Sequence, residues 1–244
     1  MKNKIIFVIS LFCFSLTAYA QETQTIYDDA YLFYKNGNAI INFTMNIHLS
    51  TGTKERGMEV YLCQESREWK LLARITEPGF LRNMKYLVRH ESDGDESKWL
   101  KTSNGVKRIS GFGQDESLFG SDFSVADISA GETQYESLVF LGTEVFNGRP
   151  MNVIEMDCGD KFYAKKTLYI DKENSLIHQV LIYSAKGELI KKYELLEWKL
   201  NTYGATPVKS KMTTIKESTF TELLVDSFEI RETIPERIFN RGNL

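Results

Sequence analysis

The segment INFTMNIHL, residues 41–49, alternates apolar and polar side chains throughout its length. The odd-numbered residues, from Ile41 to Leu49, are apolar, and the even-numbered residues are polar. Successive side chains of a β-strand point to opposite faces of the sheet, so this segment predicts a strand with one face on a core and the other in water. His48 then lies on the solvated face.

Strand-like segments of the same kind continue along the rest of the chain. They are separated by turn signals roughly every 8–12 residues, a spacing typical of antiparallel sheets. The predicted strands after residue 49 are Met58–Cys63, Glu68–Ile75, Met84–Glu91, Ser97–Lys101, Val106–Ile109, Ser137–Phe146, Met151–Asp157, Tyr163–Ile170, Leu176–Tyr183, Leu189–Leu200, Thr206–Ile215 and Thr219–Phe228.

The connectors support this interpretation and extend it to a fold class. Asn104-Gly105 and Asn147-Gly148 predict type I′ turns, in which both central residues have positive φ. So many strands in one domain predict a sheet that curls toward a barrel or half-barrel. We therefore expect a mainly β fold of the α+β class, with few helices and a single antiparallel curled sheet.

The first 35 residues predict a processing signal followed by a helix. Lys2 and Lys4 precede an apolar run, and Ala18-Tyr19-Ala20 predicts cleavage before Gln21. The run is shorter than the roughly 20 residues needed to span a bilayer. We expect residues 1–20 to be a cleaved signal peptide, the product to be periplasmic and soluble, and residues 21–244 to form a single domain. A helical pattern over Gln21–Lys35 ends at Asn36-Gly37.

The net charge bears on the class of partner, and the two remaining cysteines bear on the redox state of the protein. Loss of Lys2 and Lys4 with the signal moves the formal net charge from −3 to −5, and no run of basic residues remains. This composition excludes nucleic acid as a partner, since that requires a concentrated basic face. Cys63 and Cys158 either pair in an oxidising compartment or remain separate buried thiols, and the sequence leaves both open.

The polar stretch from Arg108 to Ile128 is the most unusual segment, and its glycines, hydroxyls and charged residues allow several chemistries. Gly111-Phe112-Gly113 lacks the lysine and the spacing of a nucleotide loop. Ser121 lacks the glycines of a nucleophile elbow, so a helix N-cap at Ser121, with Asp122 in the first turn, explains it better than catalysis.

Metal chemistry finds little support in the sequence. The acidic segment 91–96 is shorter than a complete calcium loop, and a solvated hairpin tip explains it better. No cysteine and histidine cluster has zinc spacing. We expect no metal, no cofactor and no enzymatic activity. Aromatic residues spread along the strands leave open whether the sheet fills its interior or keeps a cavity for an apolar ligand.

The same stretch carries a family resemblance. Trp99-Leu-Lys, Val106-Lys-Arg-Ile-Ser110, Leu118-Phe-Gly-Ser-Asp-Phe-Ser124 and Asp127-Ile128 follow one another as in the LolA-like outer-membrane lipoprotein-sorting protein family, which the chain resembles. Further landmarks are Glu77-Pro78, Leu168–Lys172, Gly187–Lys191 and Ile234–Phe239. Departures from the family pattern are Lys101 for Tyr, Ser103 for Pro, Lys107 for Arg and Val125-Ala126 for Tyr-Glu.

The resemblance implies an incomplete β-barrel with a helical lid and a cavity for acyl chains. It implies a monomeric periplasmic carrier of lipoproteins or acyl lipids, with an inner-membrane transporter or an outer-membrane acceptor as its partner. The alternative is an envelope sensor or scaffold module that binds a membrane-protein partner through the same fold. Residues 108–128 are either the gate of the cavity or a static cover. The expected ligand-binding or lid residues are Trp99, Arg108, Phe119, Ser121, Asp122, Phe123 and Ile128.

Overall fold

The computed structural model describes residues 21–32, 37–65, 68–93, 95–109, 116–124, 127, 135–159, 162–201 and 204–244. The predicted signal peptide and the predicted lid residue Ile128 lie outside these ranges. None of the helices in the described ranges is both long enough and apolar enough to cross a membrane.

Every predicted strand is present, which confirms the mainly β antiparallel fold. The strands are β1 (Asn38–Leu49), β2 (Gly52–Glu65), β3 (Glu68–Glu77), β4 (Lys85–His90), β5 (Glu96–Thr102), β6 (Gly105–Ile109), β7 (Ser137–Phe146), β8 (Arg149–Asp157), β9 (Lys165–Asp171), β10 (Ile177–Tyr183), β11 (Leu189–Asn201), β12 (Gly204–Thr214) and β13 (Thr219–Arg231). Short 3-10 helices are formed by Gly79–Leu81, Glu236–Phe239 and Arg241–Asn243.

The strands form one sheet with a linear order. That order is β6-β5-β4-β3-β2-β1-β13-β12-β11-β10-β9-β8-β7. Its ends are β6 and β7, so the sheet is not closed on itself in the part of the chain that the structure describes. The chain divides into two compact units, residues 1–32 with 134–190 and residues 33–133 with 191–244. The single domain expected for residues 21–244 stays a prediction.

The predicted N-terminal helix is shorter than its sequence pattern. Residues 21–29 are helical, and the helix ends before Tyr31. The backbone N–H of Tyr31 donates to the carbonyl of Ser175, and the N–H of Ile177 donates to the carbonyl of Tyr31. Tyr31 thus pairs with the turn before β10 and is not helical as the apolar spacing predicts, because tertiary hydrogen bonds outweigh local propensity.

One of the two predicted type I′ turns is confirmed. Asn147 and Gly148 have φ of 50° and 77°, as that turn requires. At the β5–β6 turn only Gly105 has positive φ, at 113°, and Thr102 pairs directly with Gly105. Ser103 and Asn104 therefore form the centre of that turn, so the prediction of a type I′ turn there was wrong.

The larger unit has an apolar face that begins on β1. The alternation predicted for residues 41–49 is confirmed, since Ile41, Phe43, Met45 and Ile47 are buried and the residues between them are half-buried. Residues in register with them on neighbouring strands continue the same face. These buried residues are Met58, Val60, Leu62, Leu71, Ala73, Ile75, Tyr86, Val88, Leu100, Met212 and Leu223.

The opposite face of β2–β5, here the second face, is covered by the C-terminal segment. Ile234 and Phe239 pack against Cys63, Leu72 and Leu87 in one buried cluster. Charged side chains line the rim of the same contact, because Glu236 accepts a hydrogen bond from Lys70 Nζ at 2.7 Å and forms an ion pair with Arg89 at 3.3 Å. Cys63 lies buried under this cover as a thiol that is not part of a disulfide, and the half-buried thiol of Cys158 donates to the carbonyl of Met156.

We predict that Phe239→Ala lowers the free energy of unfolding by about 3–5 kcal/mol, because it removes a fully buried ring from this cluster. Urea denaturation measures the change. Phe80→Ala is the matched control, since Phe80 is 84% exposed and its loss should cost within about 0.5 kcal/mol. An equal loss in the two variants would show that the C-terminal cover does not stabilise the sheet.

Candidate functional site

A short loop after β6, residues 116–124, lies against the apolar face and is here called the anchored loop. Its centre is a type I′ turn, in which the N–H of Ser121 donates to the carbonyl of Leu118 at 3.1 Å. Phe119 and Gly120 have φ of 56° and 79°. A bulky residue seldom adopts positive φ. Phe119 does so with its side chain buried, and burial of the ring offsets the backbone strain.

Asp122 fixes this loop to the β12–β13 hairpin. Its carboxylate accepts hydrogen bonds from the hydroxyls of Thr214 at 2.6 Å, Thr219 at 2.5 Å and Thr221 at 2.7 Å. The backbone N–H of Asp122 also donates to Thr221 Oγ1 at 3.0 Å. Asp122 is 7% exposed, so its carboxylate has lost most of its contact with water. The three hydrogen bonds that the carboxylate accepts compensate for that loss.

The hairpin register explains why three threonines converge on one carboxylate. Thr214 pairs directly with Thr219, and Thr221 follows two residues later on the same face of β13. Thr221 pairs with Ile47 of β1, which belongs to the apolar face. Asp122 is therefore bound at the polar end of an otherwise apolar surface.

A second polar contact follows a few residues later. Asp127 Oδ2 accepts from the backbone N–H of Ser124 at 2.7 Å, from its hydroxyl at 2.8 Å and from Lys191 Nζ at 3.0 Å. Lys191 pairs with Thr214 across β11 and β12. Asp127 and Asp122 therefore bind side chains that lie next to each other on neighbouring strands. Ser124 and Asp127 have the spacing of a capping box, a signal that was present in the sequence.

Ser121 does not cap a helix, contrary to the sequence prediction. Residues 121–124 are not helical, and the Ser121 hydroxyl donates to the carbonyl of Leu118 at 2.7 Å. The backbone N–H of Phe123 donates to the same hydroxyl oxygen at 3.2 Å. The position that a cap would occupy is Ser124, because Asp127 is helical and returns the capping bond.

The other predicted site residues separate into two groups. Phe119 and Phe123 are 4% and 1% exposed and belong to the anchored loop. Trp99 instead packs against the C-terminal cluster on the second face. Arg108 pairs with Trp99 in register, is exposed, and reaches Ser97 at 3.4 Å. The structure therefore does not bring Trp99 and Arg108 together with the phenylalanines.

Sequence reasoning missed a polar cluster on the apolar face, formed by Trp69, His90, Glu96 and Lys98. Trp69 pairs with His90 across β3 and β4, and His90 pairs with Glu96 across β4 and β5. The rings of Trp69 and His90 stack with their centroids 5.9 Å apart. Lys98, 6% exposed, forms an ion pair with Glu96. The sequence did contain a sign of it. Lys98 lies two residues before Leu100 and therefore on the same face of β5, where an apolar residue is expected.

The smaller unit contains a charged cluster around Asp171, which is 1% exposed. Arg149 donates to Asp171 and, at 2.6 Å, to Glu173, while His178 Nε2 lies 3.5 Å from Asp171. Burial alone raises the pKa of Asp171, but the Arg149 guanidinium and the N–H of Glu173 outweigh it and hold that pKa below its ordinary value. Burial lowers the pKa of His178 more than Asp171 raises it. The cluster joins β8, β9 and β10 and has a structural explanation.

Solved structures show which class this fold defines. A domain of an outer membrane lipoprotein-sorting protein from Vibrio parahaemolyticus has a TM-score of 0.80 at 23% identity, covering 93% of this chain and 96% of that chain. A DUF1329 family protein from Desulfovibrio piger has a TM-score of 0.81 at 18% identity, covering 93% and 98%. A LolA superfamily protein from Nitrosomonas europaea has a TM-score of 0.73 at 19% identity, covering 91% and 99%. The chain therefore has the LolA-like fold, which confirms the resemblance found in its sequence.

A family assignment follows from the sequence itself. Residues 67–244 match the model of a protein family described as "Uncharacterized protein", and the chain belongs to that family. No curated protein matches the sequence.

We predict that Asp122→Ala lowers the free energy of unfolding by about 2–3 kcal/mol, since it leaves three threonine hydroxyls without their acceptor. Hydrogen exchange should also accelerate at the amides of Leu118 and Ser121, which the turn protects. Asp226→Ala is the matched control, because exposed Asp226 accepts a single hydroxyl, that of Thr44, on the solvated side of β13. Unchanged exchange in Asp122→Ala would mean that other contacts hold the loop.

The pH dependence of stability gives a separate prediction for His178. Its pKa is lower in the folded chain than the ordinary value of 6.5, so the unfolded chain binds more protons below that pH. Stability should therefore fall as the pH drops below about 6.5. His178→Gln should flatten this part of the stability profile. Thermal unfolding measures it in a series of buffers from about pH 7.5 down to the lowest pH at which the protein stays folded. An unchanged slope would assign the effect to other groups.

Proposed function

We propose that the protein is a non-enzymatic periplasmic carrier that holds the acyl chains of lipoproteins or other lipids against the apolar face and moves them toward the outer membrane. The observation that carries this proposal is the composition of the contact between that face and the anchored loop. The apolar surface spans seven neighbouring strands, whereas the loop over it is fixed through Asp122 and Asp127. The LolA-like fold of the chain supports the same function.

The proposed mechanism exchanges one apolar cover for another. We infer that the sheet curls into an incomplete barrel, and that the anchored loop with the residues after it, Ile128 included, forms its lid. Phe119 and Phe123 occupy apolar surface that an acyl chain would take when the lid opens. Ser121 shapes the turn, and Asp122 acts as the latch.

Magnitudes explain why such a latch should be polar. An acyl chain of about 15 methylenes gains on the order of 12 kcal/mol on leaving water, at ~0.8 kcal/mol for each methylene. A membrane offers nearly the same gain, so a carrier must bind well and still release. Hydrogen bonds of Asp122 exchange with water at a small net cost, so the lid can open without a large barrier.

The same proposal includes the route of the protein to its compartment. We infer export by the N-terminal segment with cleavage before Gln21, and a donor or acceptor that is a membrane protein of either membrane. Ser121 offers no support for hydrolysis, because each hydrogen bond of its hydroxyl among the described residues is to a backbone group.

The first test is native mass spectrometry of the protein after export by its own signal and purification without detergent. We expect a discrete added mass that organic extraction identifies as a lipid or an acylated peptide. A bare mass that persists after incubation with lipid vesicles would contradict the carrier function. In that case a membrane-protein partner recovered by cross-linking in cells would favour the sensor or scaffold alternative.

The lid gives a kinetic prediction. Asp122→Ala should accelerate transfer of a fluorescent acyl lipid from the protein to acceptor vesicles at least about tenfold, the factor for each ~1.4 kcal/mol removed from the cost of opening. Stopped-flow fluorescence measures the rate. Asp226→Ala changes the solvated side of β13, the strand that carries Thr219 and Thr221, and this variant should transfer lipid at the wild-type rate. Equal rates in all three proteins would show that the anchored loop is a static cover.

A further inference from the structure

The polar cluster of Trp69, His90, Glu96 and Lys98 contains two buried polar atoms for which the described residues supply no hydrogen-bond partner. These atoms are Trp69 Nε1 and His90 Nδ1, which belong to directly paired residues with stacked rings. Trp69 is 7% exposed, so its indole N–H has lost water without gaining an acceptor from the described part of the chain. Buried donors are nearly always paired in native proteins, and an exception calls for an explanation.

Lys98 adds unused donor capacity beside these two atoms. Its ammonium has three N–H groups, and the described part of the chain offers it one ionic partner, Glu96. Lys98 pairs in register with Val88, the neighbour of His90 on the same face of β4. Trp69, His90 and Lys98 therefore lie on adjacent strands at one end of the apolar face.

We propose that Trp69, His90 and Lys98 form a subsite for the carbonyl oxygens that join acyl chains to their head group. This inference rests on the proposed carrier function and names the polar part of the ligand. An ester or amide carbonyl accepts hydrogen bonds and carries no charge. His90 Nδ1 donates to it when it bears the imidazole proton, and the indole N–H of Trp69 donates in any case.

The charge balance of the cluster favours a carbonyl over a carboxylate or a phosphate. Glu96 already neutralises Lys98, so an anionic group would face the Glu96 carboxylate in a site of low dielectric constant. A simple hydrocarbon would leave the Trp69 N–H and the His90 ring nitrogen unsatisfied. Leu71 and Val88 adjoin the cluster on the same face, so a chain attached to the carbonyl would enter apolar surface at once.

Access to the subsite requires side chains to move. Trp69 Nε1 and His90 Nδ1 are not accessible to solvent in the structure, so a ligand reaches them only when neighbouring side chains shift. Leaving the indole N–H and the imidazole nitrogen unpaired is less favourable than an arrangement in which they are paired. A carbonyl that pairs with them would stabilise the loaded protein relative to one carrying hydrocarbon alone.

The test compares two lipids that differ at this group alone, a fluorescent diacyl glycerophospholipid and its dialkyl ether analogue, bound to the purified full-length protein. Wild type should bind the ester lipid about three- to tenfold more tightly than the ether lipid, the range for one hydrogen bond. Trp69→Phe keeps an aromatic side chain and removes the N–H, so it should remove most of this preference and leave ether binding unchanged. His90→Phe should act in the same direction.

Trp99→Phe is the matched control, because Trp99 lies on the second face under the C-terminal segment, and it should keep the wild-type preference. Equal binding of ester and ether lipids by wild type would overturn the subsite and leave the carrier function intact. A loss of both lipids in Trp69→Phe would also overturn it, since the residue would then act through packing. Failure of wild type to bind either lipid would overturn the carrier function itself.

Discussion

The carboxylate of Asp122 and its three threonine donors form the contact on which the arrangement of the apolar face depends. A carboxylate so little exposed is tolerated only where donors replace its water, and the β12–β13 hairpin supplies them. The hairpin register in turn fixes which threonines are available. The anchored loop therefore takes its position from a strand pairing distant in sequence, and the positive φ of Phe119 is accepted as part of that geometry.

The two faces of the larger unit are covered in chemically different ways. On the second face, Ile234 and Phe239 join a buried apolar cluster, and such a cover separates only at the cost of exposing that cluster to water. On the apolar face, the loop is held at Asp122 and Asp127 by groups that water can also satisfy. The C-terminal cover is thus held mainly by apolar burial, whereas the anchored loop combines polar contacts with the burial of Phe119 and Phe123.

Much of the fold followed from the sequence because it depends on local patterns. A period of two located each strand, and Asn147-Gly148 fixed its turn, since both signals concern neighbouring residues. The site did not follow. Ser121 looked like a cap because its partners, Leu118 and Phe123, become visible only once the type I′ turn has formed. Asp122 was predicted as a site residue, but its threonine partners were not. They lie 92 to 99 residues further along the chain, and no local pattern in the sequence links them to it.

The polar cluster on the apolar face shows what a violated pattern can reveal. Lys98 lies on the same face as Leu100, and Trp69 on the same face as Leu71. Core packing alone would favour purely apolar side chains at both positions. Burying a lysine beside a glutamate is seldom worth more than a hydrophobic pair of the same volume, and an unpaired indole N–H adds a further cost. Stability therefore does not explain this cluster, whereas a ligand that brings its own acceptor into the apolar face would.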